Sequence, residues 1–238
     1  MRLLVALFML LATPAAAVLC EDLTFQGNSY TICTVNAATE NLRLFHTGQN
    51  GEVYGQFDAI QATLDVETLS FAMNAGMYHS DRSPVGLYQE DGAIVSQIVS
   101  SDGPGNFGLL PNGVLCINDD SARVIETLQF IESARQCRDA TQSGPMLVID
   151  GALHPRFIPN GSSKFIRNGA GTSPDGKTAY FAISNDAVNF HSFGLLFRDY
   201  LQVDQALYFD GKVSRLHAPQ LGRSDFGFQL GPIIGVID

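Results

Sequence analysis

The sequence predicts an α+β fold, a single domain of mainly antiparallel β-sheet with a few helices. Three observations predict it. Most apolar runs are short. Asp-Gly and Asn-Gly pairs flanked by apolar residues recur, in YQEDGAIV, LPNGVLCI, LVIDGALH, TSPDGKTAY and LYFDGKVS. One segment alone carries a well-defined helical stripe. Such pairs mark hairpins because both residues tolerate positive φ.

Residues 1–17, MRLLVALFMLLATPAAA, carry Arg2, an apolar run and small residues ending Ala15-Ala16-Ala17. That is the pattern of a secretory signal cut after Ala17, leaving residues 18–238 as the domain. The apolar run is too short to span a bilayer, and no later stretch approaches about 20 apolar residues. The expectation is a periplasmic or secreted protein without a transmembrane anchor.

YTICTVN and NLRLFHT alternate with β-branched residues and read as the two arms of an early hairpin. QFDAIQATL places Phe57, Ile60 and Leu64 at helical spacing, before a strand in LSFAMNA. VGLYQEDGAIV and GLLPNGVLCI read as hairpins turning at Asp91-Gly92 and Asn112-Gly113. ARVIETLQFIES alternates like a strand at its start and has a helical ending. PMLVID and AYFAIS are continuous apolar runs, hence buried strands. In NFHSFGLLFRDYLQ, Phe190, Phe193, Phe197 and Leu201, with Leu196 and Tyr200, form one apolar stripe. Asp186 or Asn189 is placed to cap that helix.

Cys20, Cys33, Cys116 and Cys137 all follow the signal, and four cysteines allow three pairings. Sequence proximity favours Cys20–Cys33 and Cys116–Cys137, in keeping with an oxidising compartment. Acidic residues outnumber Lys and Arg 24 to 14, for a net charge of −10, which argues against a nucleic-acid partner.

Several familiar sites are missing. The chain has no G-x-S-x-G, H-E-x-x-H, C-x-x-C or EF-hand-like loop, and no metal or cofactor is called for. His79, His154 and His191 read as structural residues. Polar residues do, however, interrupt otherwise buried-looking segments at four places. These are Asn74 and Gly76 in FAMNAGMYHSDRSPVGL, Ser143, Gly144 and Asp150 in ATQSGPMLVIDG, Arg167 in KFIRNGAGTSPDGK, and Asp210 in ALYFDGKVS.

Together, and in this order, the four stretches resemble the phosphodiester glycosidase domain family, most closely its bacterial exported branch. The resemblance spans from about Leu69 to Leu216. It departs from the uncovering-enzyme branch, which has D-G-G-G-S where this chain has Asp210-Gly211-Lys212-Val213-Ser214. The resemblance implies an exported hydrolase that cleaves the glycosidic bond of a sugar phosphodiester. The alternative is a non-enzymatic envelope protein that binds a glycan or an anionic polymer.

Phosphate is a stable leaving anion, so strong general-acid catalysis is less necessary than in ordinary glycoside hydrolysis. The chemistry needs an arginine for the phosphate and a carboxylate to activate water or stabilise positive charge on the sugar. Arg167 and Asp210 are the catalytic candidates. Asn74, Ser143, Asp150 and Ser214 are candidates for hydrogen bonds to substrate, with Gly76, Gly144 and Gly211 permitting close backbone approach. Asp91 and Asp175 read as turn residues only.

Overall fold

A computed structural model describes residues 18–210 and 213–238. The signal sequence, residues 1–17, and two residues of the Asp210 loop, Gly211 and Lys212, lie outside the described residues. The alternating segments form strands, and every pairing among the described residues is antiparallel.

A seven-stranded sheet runs in the order Leu19–Phe25, Asn28–Asn36, Thr178–Ser184, Asn168–Thr172, Gln205–Tyr208, Met146–Ile149, Ala152–Leu153. One five-stranded sheet runs Arg223–Ser224, Leu216–Ala218, Leu69–Asn74, Ile233–Ile237, Asn41–Phe45. Another runs Ala93–Ser96, Tyr88–Glu90, Asp139–Ser143, Gly113–Asn118, Ser121–Glu126.

The core lies between these sheets. One face of the seven-stranded sheet, with Cys33, Phe181, Ala170, Leu207 and Phe209, packs on Phe71, Met73, Ile234 and Val236 of one partner sheet and Leu115, Ile117 and Val124 of the other. Its opposite face carries the predicted helix, whose Phe193 and Phe197 pack against Tyr30, Ile32, Leu147 and Ala206. That helix runs Phe190–Leu195 and continues as a π turn, Leu196–Tyr200. Asn189 caps it, its side-chain oxygen accepting from Ser192 N at 2.8 Å, whereas Asp186 accepts from Ser29 N. A short helix at Phe57–Gln61 buries Phe57 and Ile60, as the spacing predicts. ARVIETLQFIES divides as its pattern does, into strand Ser121–Glu126 and helix Thr127–Ser133.

Three local expectations differ. YTICTVN and NLRLFHT do not pair: Asn28–Asn36 lies between Leu19–Phe25 and Thr178–Ser184, and Asn41–Phe45 pairs with Ile233–Ile237 in another sheet. The intervening turn, in which Thr39 N and Glu40 N both donate to Asn36 O, redirects the chain between sheets. Asn112-Gly113 is not a hairpin turn. Asn112 is buried and Gly113 opens a strand, where a Cβ would meet Met146 Sδ at 2.4 Å. Nor do the flanks of Asp210 pair: Gln205–Tyr208 and Leu216–Ala218 belong to different sheets. Alternation alone cannot say which sheet a strand will join.

Both disulfides pair as sequence proximity favours, Cys20 with Cys33 and Cys116 with Cys137. The first links directly opposed residues of a hairpin, and the second ties a central strand to the chain leaving Thr127–Ser133. Loops of 13 and 21 residues constrain the unfolded chain by about 3 kcal/mol each.

Candidate active site

The ends of strands from all three sheets meet at one place. Leu69–Asn74 delivers Asn74, Asp139–Ser143 delivers Ser143, Asn168–Thr172 opens with Asn168, and the chain leaving Gln205–Tyr208 crosses from one sheet to another through Asp210, Ser214 and Arg215.

Asn74 and Asn168 are wholly buried and lock these segments together. Asn168 donates to Asn74 O at 2.8 Å, and Asn74 Nδ2 lies 3.3 Å from Asn168 Oδ1. The Asn168 oxygen also accepts from Asp210 N at 3.3 Å, and the Asn74 side-chain oxygen accepts from Arg215 N at 2.9 Å. Ser214 Oγ lies 3.0 Å from Asp210 O, 3.1 Å from Ile166 O and 3.3 Å from Asn168 Oδ1. Ser143, also fully buried, donates to Phe209 O at 2.7 Å. The backbone on either side of Asp210 is therefore held by two amides and two hydroxyls. A buried group of this kind is costly to leave unpaired, so the network fixes both ends of the loop.

Asp210 is half-buried at the exit of its strand. Its charge is felt by two neighbouring phenols. Tyr78 is pushed up to about 12, first by burial and then by Asp210, with Arg82 and Arg215 opposing. Tyr208 is raised chiefly by burial, with Asp210 adding to it and Arg167 acting against it.

Among the described residues, Arg167 makes none of these bonds. Neighbours in a strand face opposite sides, and while Asn168 reaches towards Asn74, Arg167 turns to the helix-covered face. There its guanidinium is buried, stacked 3.7 Å from the Phe190 ring centroid, and donates to Val188 O, Ser163 O and Tyr208 Oη at 2.8, 3.0 and 3.2 Å. Burial draws it below the ordinary arginine value, and Tyr208 opposes that. Arg167 donates to Tyr208, which lies on the strand that leads to Asp210.

Asp150 is not brought to the cluster. With φ of 49° and Gly151 at 78°, it turns a tight hairpin and accepts from Gln205 at 2.7 Å. Gly151 N bonds Asp204 O, six extended residues or about 20 Å from Asp210. Asp91-Gly92 is likewise a positive-φ turn. Asp175 accepts from Ser173 Oγ and Lys177 N, which pull its carboxyl below the usual carboxylate range.

The bareness of Gly76 and Gly144 is used by the protein itself. A Cβ on Gly76 would come within 2.5 Å of Gln142 O, and one on Gly144 within 2.6 Å of Asn112 Cβ. Three members of the cluster escape a reading of the sequence: Asn168, Tyr78 and Arg215. Asn168 sits in a glycine-rich run beside Arg167, with nothing local to show what its side chain will bond. Tyr78 and Arg215 carry no local pattern that announces burial.

Comparison with known proteins identifies the fold and the family. The chain is 34% identical over 219 residues, 91% of this chain and 84% of the other, to YigE of Escherichia coli K12, an uncharacterized protein. Its fold is similar to the zebrafish N-acetylglucosamine-1-phosphodiester alpha-N-acetylglucosaminidase catalytic domain, which was solved auto-inhibited by its pro-peptide. The TM-score is 0.62 at 12% identity, covering 92% of this chain and 81% of that one. A hypothetical protein from Synechocystis is similar at a TM-score of 0.60 and 11% identity, over 92% of this chain and 61% of that one. The phosphodiester glycosidase family model matches residues 67–217, the stretch that supplies Asn74, Ser143, Asn168, Asp210 and Arg215, and the chain belongs to that family.

Proposed function

We propose that this protein is an exported hydrolase that cleaves the glycosidic bond of a sugar phosphodiester, with Asp210 as its carboxylate. Water attacks the anomeric carbon, its proton passes to Asp210, and the bond from that carbon to the phosphate oxygen breaks. The products are free sugar and a phosphomonoester. The departing phosphate needs little protonation, so one carboxylate near the anomeric carbon suffices.

The observation that carries this reading is the convergence of the family's separate segments on the two ends of the Asp210 loop. Asn74, Asn168, Ser143 and Ser214 hold the two ends of that loop before substrate arrives, which is how a low-dielectric site makes a charge effective. Arg167 enters as a positioning residue, fixing Tyr208 and through it the strand that ends at Asp210. Two disulfides, with no helix among the described residues long and apolar enough to cross a membrane, are consistent with an extracytoplasmic location.

The test is to incubate the purified protein with a panel of sugar 1-phosphodiesters and to quantify both free sugar and phosphomonoester. Equal release of the two from at least one substrate supports the reading. Binding without release across the panel points instead to a glycan- or polymer-binding envelope protein.

A further inference from the structure

We propose that Arg215 and Tyr78 form the seat for the phosphate group of the ligand, and that Arg167 does not contact it. This rests on the phosphodiester reading above, and deepens it by assigning the anion to particular donors.

Arg215 is 5% exposed. Its terminal nitrogens donate to neutral acceptors, Gln56 Oε1 at 2.9 Å and Gly55 O at 3.2 Å. Its Nε is buried and has no hydrogen-bond partner among the described residues. The Tyr78 hydroxyl is in the same condition. A buried donor without a partner is costly, and more so when it belongs to a cation. Two such donors in one neighbourhood are what a site prepared for an anion looks like.

They do share a neighbourhood: Gly55 O accepts from both Arg215 and Leu230 N, and the next residue, Gly231, lies so close to Tyr78 that a Cβ there would come within 2.6 Å of its side chain. Arg215, Arg82 and Asp210 all act electrostatically on the Tyr78 oxygen. The Arg82 guanidinium stands 5.5 Å from the Tyr78 ring centroid. Arg215 follows Ser214 directly, and its backbone N is fixed by Asn74. Asp225 and Asp58 also act on Arg215, so the charge here is mixed, and the seat is marked by its two unpaired donors.

A phosphodiester monoanion has two non-bridging oxygens. Arg215 Nε–H serves one and the Tyr78 O–H the other, which leaves the sugar side of the ligand to Asp210. The contrast with Arg167 is direct, because each of its three nitrogens already donates to a protein oxygen.

The experiment is a calorimetric titration of the full domain with inorganic phosphate, with thermal unfolding of every variant as the control for folding. The parent should bind phosphate. Tyr78→Phe, which keeps the ring and so the packing, should weaken binding about fivefold, and Arg215→Lys, which keeps the charge but not Nε–H, about tenfold or more. Parental affinity in both variants overturns the proposal, as does a parent protein that binds no phosphate. If Arg215→Lys does not fold, Tyr78→Phe decides alone. Asp210→Asn separates the two readings. Full hydrolysis with weakened phosphate binding in Tyr78→Phe would sink the role given to Asp210 and leave the anion seat standing. Lost hydrolysis in Asp210→Asn with parental phosphate binding in Tyr78→Phe would do the reverse.

Discussion

Asp210 and Asp175 look alike in sequence, each followed by glycine, yet their surroundings assign them different work. Asp175 is exposed and hydrogen-bonds its own turn. The backbone of Asp210 is bonded to Asn168 and Ser214 across the junction of the sheets. Asp210→Asn keeps those backbone bonds and the side-chain shape while removing the charge. It should fold with an unchanged unfolding midpoint and lose about a hundredfold or more in turnover, the range for one electrostatic group. Steady-state kinetics on whichever sugar phosphodiester the protein accepts checks this. For Arg167 the expectation is reversed. Lysine cannot reach Val188, Ser163 and Tyr208 together, so Arg167→Lys should destabilise the protein by about 2–4 kcal/mol, measured by denaturant unfolding. A variant as stable as the parent would show that the three bonds contribute little.

Among the larger elements, the loop between Ser96 and Gly113 is held at its start by one side chain. Gln142, buried in a central strand, accepts from Leu87 N and Val99 N, each at 3.0 Å, and donates to Val99 O and Thr127 Oγ1. Gln142→Leu fills a similar volume but leaves two backbone donors and a carbonyl unpaired. Amide exchange across residues 97–112 should then quicken by tenfold or more while the central strands stay protected. Unchanged exchange would show that the loop is held by other contacts. Strands and helices with a strong period were legible in the sequence: the Phe193–Phe197 stripe, the Asp91-Gly92 hairpin and the split at Glu126 all follow their patterns. Partners were not. Nothing local to YTICTVN distinguishes a neighbour eight residues away from one near residue 180. At the site, Asn74 and Asp210 stood out as polar residues at the ends of apolar runs. Arg215 did not, because its burial depends on Gln56, far away in the chain.

For the molecule as a whole, acidity acts through buried imidazoles. His154 and His217 sit below the ordinary value of 6.5, in both cases because burial disfavours the charged ring. The unfolded chain therefore takes up these protons first. Their contribution is intact above about 6.5 and is lost as the pH falls through that value to the folded-state values. Glu40, Glu90 and Asp139, raised chiefly by burial, have the opposite sign, and their ionisation penalty is relieved as the pH falls towards the carboxylate range. Between pH 7 and 5.5 the parent should lose more stability than His154→Gln, and proton NMR should show both imidazoles titrating below 6.5. A parent and variant with the same slope would remove His154 from this account.

The strand Ile233–Ile237 lies between Leu69–Asn74 and Asn41–Phe45, and Ala75 N is bonded to Pro232 O. The sheet that presents Asn74 thus closes around residues more than 150 positions further along the chain. The consequence is one of timing. Contacts this distant in sequence form late, because the intervening loops must close first. On dilution from denaturant, backbone ellipticity should return before any activity of the Asp210 site, and the interval between them should measure the docking of the last strand. A chain whose last strand has yet to dock would carry every residue of the cluster and be silent until that strand is home.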